Sequence, residues 1–322
     1  MGLAAATPGW HARILGLRWP LVQGPHVLSA TLGGMDRRAK TLLWMATGCA
    51  FLFALVVLGA YVWGPGQSLD YEGLAGFVSA NDGWVREITW RLTALGDPAQ
   101  VATITLALAA LALVRGRPRV AVTVVALVAA SSVSSQVLKA LLAHPRFPPI
   151  LGYEVGPAAL PSGHATAAMS LALAGVLAAP RRGRLPAALI GSLLALAVGA
   201  AVVSLGWHFP SDVLAGYLLA TGWGLGLTAA LYEADRRFPA RERWASSAIA
   251  RASDKIATSG LALAAAGTTT VAVLATGGLL LTDMSAASCF AREHTAFLVV
   301  AGGVASAALV MPVTMATVAR RG

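Results

Sequence analysis

An all-α fold, a polytopic membrane helix bundle, is what this chain predicts, and three observations predict it. Of its 322 residues 57% are hydrophobic and 12% charged, with a mean hydropathy of +0.70, a balance outside that of soluble domains. Apolar runs long enough to cross a bilayer, about 17–25 residues each, recur along the chain. The basic residues fall in the short breaks between those runs rather than on one face or tail. The formal charge of +10 therefore reads as the positive charge that marks the cytoplasmic side of a membrane protein, and no nucleic-acid partner is expected.

Taken in order, residues 1–40 carry scattered Gly, Pro and Trp and read as a cytoplasmic tail. The first strong apolar run begins near Thr41 and is long enough to stay in the membrane, which argues against a cleavable signal peptide. Runs at 41–63, 99–114, 119–142, 163–180, 186–206 and 211–232 give a six-helix core within residues 41–235. A basic linker, 236–258, leads to a two-helix extension, 259–322, with spans at 259–282 and 295–318. When the spans alternate, Arg37, Arg38 and Lys40 share one side with Arg115, Arg117 and Arg119, with Arg181, Arg182 and Arg184, with the linker arginines and with Arg320 and Arg321. That side is expected to be the cytoplasm, with both termini there and the protein in the plasma membrane.

Residues 64–98 fall on the outer side, where Trp84, Ile88, Arg91 and Leu92 recur at helical spacing. They predict one or two amphipathic helices at the interface, a structural cover or a lid. Cys49 and Cys289 lie at different depths and form no disulfide framework or metal-type cluster. Gly222-x-Gly224-x-Gly226 follows no strand and reads as a helix-packing surface rather than a dinucleotide loop.

The polar outliers all fall at the outer level: Lys139, His144 and Arg146 after the third span, Ser162 and His164 at the start of the fourth, His208 and Asp212 between the fifth and sixth. Ionisable groups at membrane depth are costly and mark functional sites. Lys139 and Arg146 supply cationic donors, and an arginine engages two phosphate oxygens at once. Ser162 is placed to cap the fourth helix, whose free N–H groups favour an anion, and Pro161 and Gly163 let the chain turn tightly there. In His208-x3-Asp212 the carboxylate can fix the imidazole tautomer and leave the other nitrogen to attack, while His164 can protonate a leaving oxygen. His164, His208 and Asp212 also make a zinc-type donor set, but Lys139 and Arg146 would repel a divalent ion, so the expectation is a site without metal or other cofactor. His144 and His294 read as wetted interfacial histidines.

These residues resemble the type 2 phosphatidic acid phosphatase superfamily of membrane lipid phosphatases, related to glucose-6-phosphatase and the vanadium haloperoxidases. Lys139-x6-Arg146 with Pro148, the intact Pro161-Ser162-Gly163-His164 and His208-x3-Asp212 appear in that family's order over residues 40–235. The resemblance implies a six-helix core, an extracytoplasmic site and a metal-free phosphohistidine mechanism. By motif position His208 is the nucleophile, Asp212 its orienting carboxylate and His164 the acid and later base. Lys139, Arg146, Ser162 and Gly163 make the phosphate-binding set. Phe147 displaces the proline that follows the first arginine, and the family's Ser-Arg pair falls on Ala201 and Val202. One phosphate-binding arginine is thus absent, with His144, Arg292 and His294 as the nearby candidates to replace it.

The expected activity is hydrolysis of a lipid phosphate or diphosphate, either a polyprenyl diphosphate or a glycerophospholipid phosphate. Two alternatives remain beside it. A phosphohistidine can pass its phosphoryl group to a sugar or other acceptor, and the missing arginine suits a non-catalytic lipid-binding or scaffold protein.

Overall fold

The computed structural model describes residues 34–81, 83–146, 152–239 and 295–320. The expected span at 259–282, most of the tail and linker, and Cys289, Arg292 and His294 lie outside the described residues. Among the described residues there are nine α-helices and no strand: α1 (Arg37–Tyr61), α2 (Gly64–Ser79), α3 (Gly83–Thr93), α4 (Pro98–Val114), α5 (Pro118–Leu141), α6 (Gly163–Ala178), α7 (Arg184–Ser204), α8 (Pro210–Arg237) and α9 (Thr295–Arg320). Short 3-10 turns, Ala94–Gly96 and Arg181–Gly183, precede α4 and α7.

The helix starts are set by local chemistry. Asp36 caps α1, its carboxylate accepting from Arg38 N at 3.1 Å, and Ser162 caps α6 through Ala165 N at 3.4 Å. Proline opens α2, α4, α5 and α8, where its missing N–H costs nothing and its fixed φ suits the first turn.

Helices α1, α5, α7 with its preceding turn, α8 and α9 are each long and apolar enough to cross a membrane. The α3 and α4 segments meet that test together, bent by 56° at Asp97. This protein is a multi-pass membrane protein of all-α class. Residues 64–98 form two helices, α2 and α3, as their periodicity predicts, but α2 does more than cover the surface: Asp70, Gly73, Leu74, Gly76 and Val78 are buried.

Helix α6 is the axis of the bundle. Only Gly163, His164 and Gly175 escape burial along it, the pattern of a helix enclosed on all sides. It packs against α5, α7 and α8, while α1 lies outside against α8 and turns Trp44, Phe51, Leu52 and Leu55 outward. Helix α9 is part of this assembly, seated against α7, α2, α6 and α8. Phe297 meets Phe77 edge-on at 4.8 Å, and Thr228 Oγ1 lies 3.9 Å from Met315 Sδ.

The arginines collect at one end of the bundle. Arg115 donates to Ala178 O, Arg117 to Leu177 O at 3.2 Å and Arg184 to Ala319 O, so they satisfy carbonyls that the ends of α6 and α9 leave without helical partners. Arg119 pairs with Asp235 at 2.6 Å. The polar outliers of the sequence lie at the other end.

Candidate active site

Three segments build the site, and the first is the end of α5. Lys139 sits on its last turn and, with Gly163 and His164, lines one cavity. Past the helix, His144 N donates to Pro157 O at 2.9 Å, while the exposed His144 ring stands edge-on to Tyr61 at 5.7 Å. Arg146 then turns inward until its side chain is 4% exposed. Its Nη2 pairs with Asp212 Oδ1, and its Nη1 reaches Asp70 Oδ2 at 3.1 Å and Ser211 Oγ at 3.0 Å. The Phe209 ring lies 4.2 Å from the guanidinium carbon. The arginine expected on phosphate is therefore held between two carboxylates and an aromatic face.

Asp70 was not singled out by the motif pattern, yet it is as heavily bonded as Asp212. Besides Arg146 it accepts from Ser211 N at 2.9 Å and from Ser211 Oγ at 2.5 Å. Burial pushes its pKa up to about 6, against the opposing pull of Arg146 and the Ser211 bonds.

The second segment is the Pro161-Ser162-Gly163-His164 turn. Ser162 is fully buried and tied on several sides: its N–H donates to Asp212 O at 2.9 Å, and its carbonyl accepts from Thr166 Oγ1 at 2.7 Å. This stitches the head of α6 to the first turn of α8. A Cβ on Gly163 would point toward Lys139 Nζ, 3.8 Å away, so the glycine keeps that face low beside the ammonium. His164 Nε2 lies 3.4 Å from Asp97 Oδ1. Gly96 is required there, because a Cβ on it would stand 2.6 Å from His164 Cδ2. His164 is within electrostatic reach of His208 and Lys139.

The third segment follows α7. Gly206 turns the chain with φ +73°, and any Cβ on it would collide with Tyr153 at 2.4 Å. Trp207 N returns to Val202 O at 3.0 Å, and the Trp207 ring packs 5.8 Å from His164. His208 Nδ1 then stands 3.3 Å from Asp212 Oδ2, the oxygen that also accepts from Phe209 N at 2.9 Å. Both residues are buried. One Asp212 oxygen thus serves His208 and the other Arg146, so the carboxylate is fixed from both sides. Val202, where the family pattern places arginine, is fully buried in the apolar core.

Sequence spacing therefore brings Lys139, Gly163 and His164 to one cavity and pairs His208 with Asp212, whereas Arg146 and Ser162 are committed to protein partners. Asp70, Asp97, Gly96 and Ser211 complete the site. The signal for the first two was their charge in a segment read as surface helices, which by itself does not say that either turns inward.

The cavity next to Lys139 and His164 measures about 640 Å³ and runs between α4, α5 and α6. Val101, Ala102, Leu106, Val128 and Ala129 give it apolar walls, while Ser132, Ser135, Gln136 and Lys139 share one face of α5. Ser135 is fully buried and its Oγ has no hydrogen-bond partner among the described residues. Also among the described residues, no three His, Cys, Asp or Glu side chains are grouped to hold a metal ion.

Residues 115–236 match the model of the PAP2 superfamily, and the match spans α5 to α8. A crystal structure described as the first transmembrane PAP2 type phosphatidylglycerolphosphate phosphatase from Bacillus subtilis is 21% identical, with a TM-score of 0.48, over 62% of this chain and 98% of that one. No curated protein matches the chain.

Proposed function

We propose that this chain, whose residues 115–236 match the PAP2 superfamily model, is a PAP2-type phosphatase that hydrolyses a lipid phosphate ester at the end of the bundle opposite the arginines, through a phosphohistidine. The observation that carries this reading is a buried His208–Asp212 pair within electrostatic reach of His164, which with Lys139 and Gly163 forms the polar end of an apolar cavity. The match to the PAP2 superfamily model supports membrane phosphatase chemistry; the substrate, the mechanism and the side of the membrane are our reading.

In that mechanism Asp212 accepts the Nδ1–H of His208 and leaves Nε2 to attack phosphorus. The bond from phosphorus to the lipid oxygen breaks, and that oxygen takes a proton from protonated His164. His164, now neutral, removes a proton from water as the water oxygen attacks the phosphohistidine, releasing inorganic phosphate and returning both histidines. Lys139 and the N–H groups at the head of α6 compensate the charge on the transferring phosphoryl group. Arg146 acts on Asp212 rather than on phosphate.

Within the lipid class, Ser135 favours a glycerophospholipid phosphate over a polyprenyl diphosphate. A buried hydroxyl below the phosphate end of the cavity suits an ester oxygen of a glycerol backbone, whereas a prenyl chain presents only carbon there. The phosphotransferase alternative uses the same first half-reaction and differs in the acceptor.

The test is phosphate release by the purified protein across a panel of lipid phosphates in the presence of chelator. Release that disappears in His208→Ala supports the mechanism. Full activity in that variant removes it, and loss of wild-type activity in chelator removes the metal-free reading.

A further inference from the structure

The head of α6 is short of donors for a phosphoryl group. Of the residues expected on phosphate, Arg146 is spent on Asp70, Ser211 and Asp212. Val202, where the family pattern places arginine, is buried in the apolar core. Ser162 uses its hydroxyl on Ala165 N at 3.4 Å and its carbonyl on Thr166 N at 3.0 Å. What remains is Lys139 Nζ and the N–H groups of Gly163 and His164, which have no acceptor among the described residues. A transferring phosphoryl group spreads its charge over three equatorial oxygens, and catalysis rests on donors set in place at those oxygens.

Gln136 lies one turn before Lys139 on α5, on the same side of the helix. Its side chain lines the cavity with Lys139, Gly163 and His164. A Cβ built on Gly163 would stand 3.6 Å from Gln136 Nε2 and 3.8 Å from Lys139 Nζ. Carboxamide and ammonium therefore converge on one point over the first turn of α6. Like Lys139, Gln136 has no side-chain hydrogen bond among the described residues. A carboxamide without a partner in a membrane span is costly, and an anion seated beside Lys139 supplies that partner. Ser135 and Ser132 lie farther from Lys139 along the helix, level with the lipid body rather than its phosphate.

We infer that Gln136 is a further phosphate-binding residue of this site, donating a side-chain N–H to a non-bridging oxygen of the transferring phosphoryl group in place of the arginine missing at Val202. The inference rests on the phosphatase reading above and extends it to a residue outside the three motifs. Lys139 supplies the charge, and the amide, which is planar and neutral, adds a directed donor without a second cation.

The experiment uses the full chain purified in a neutral detergent with chelator. It reads the affinity for inorganic phosphate, from Tm against phosphate concentration, beside kcat/KM on phosphatidic acid. Gln136→Met keeps the length of the side chain and removes the donor. It is expected to weaken phosphate binding and lower kcat/KM, each by roughly tenfold, the size of one hydrogen bond to a charged group. Gln136→Glu keeps the shape and turns a carboxylate on the anion, so its loss is expected to be larger; it also keeps the inference testable if the methionine variant does not fold. Val133→Ala, on the outward face of α5, is expected to match wild type in both readouts.

Phosphate affinity within twofold of wild type in either Gln136 variant would overturn the inference. So would a raised KM for the lipid with phosphate affinity unchanged, since that places Gln136 on the lipid body. Phosphate binding that depends on Gln136 in a protein that cleaves no lipid phosphate would uphold the inference and remove the hydrolase reading. Full turnover in Gln136→Met would do the reverse, so the two failures are told apart.

Discussion

Asp97 Oδ1 stands 3.4 Å from His164 Nε2, which ties the head of α6 to the turn preceding α4. The pair joins a residue inside the family-matched segment to one outside it. Asp97→Asn keeps the side-chain size and removes the charge that orients the imidazole and supports its protonated form. We expect kcat to fall roughly tenfold, a fraction of the ~100-fold or more that a general acid contributes, with KM little changed. Steady-state kinetics on a lipid phosphate decides it; an unchanged kcat would take Asp97 out of the reaction.

Asp212→Asn is expected to be the most damaging single change in the site. It removes the negative charge that His208 and Arg146 share and replaces one of the two acceptor oxygens by an NH2, so one of those two donors faces another donor. Breaking a buried ion pair by deleting one partner costs about 3–5 kcal/mol, so Tm should drop together with at least a ~100-fold loss of rate. A variant with wild-type Tm and little activity would separate the two roles.

Asp70 gives the site a pH dependence with a definite sign. Its pKa in the fold is about 6 against an ordinary 3.8, because burial outweighs its bonds. Between those values the folded protein holds a proton that the unfolded chain has released, so this group's contribution to stability falls as pH rises through the window. Asp70→Asn lacks that dependence. The stability of the variant relative to wild type should therefore improve from pH 4 to pH 7, as read by chemical denaturation at several pH values. A difference that is flat with pH would show that Asp70 titrates normally.

Ser135 should discriminate lipid linkages. If its hydroxyl bonds an ester oxygen, diacyl phosphatidic acid is preferred over its dialkyl ether analogue by the several-fold that one hydrogen bond provides, about 1 kcal/mol. Ser135→Ala should erase the difference and leave activity on the ether lipid unchanged. Equal rates for the two lipids with wild-type protein would return the prenyl substrates to first place.

Helix positions were legible because membrane spans announce themselves by length and apolar content. The runs read at 119–142, 163–180 and 186–206 correspond to α5, α6 and α7. The His208–Asp212 pair was legible for a similar reason, since four residues at a helix start set the geometry locally. The seat of Arg146 was not, because it depends on Asp70, 76 residues earlier in the chain, arriving on a helix that composition assigns to the surface. Asp97 was hidden in the same way: its partner is fixed by the 56° bend between α3 and α4 and by the lack of a side chain on Gly96. Long-range polar pairs of this kind leave no periodicity to read.

The packing of α9 on α2 changes what counts as the smallest working unit of this protein. Val300 and Phe297 fill the space beside Gly73 and Gly76, one turn or two beyond Asp70. A fragment trimmed to the family-matched stretch would keep both histidines and Asp212, but would lack Asp70 and Asp97 and the helix that shores up Asp70 from behind. Motif boundaries and mechanical boundaries differ here, and it is the second that an excised domain must respect.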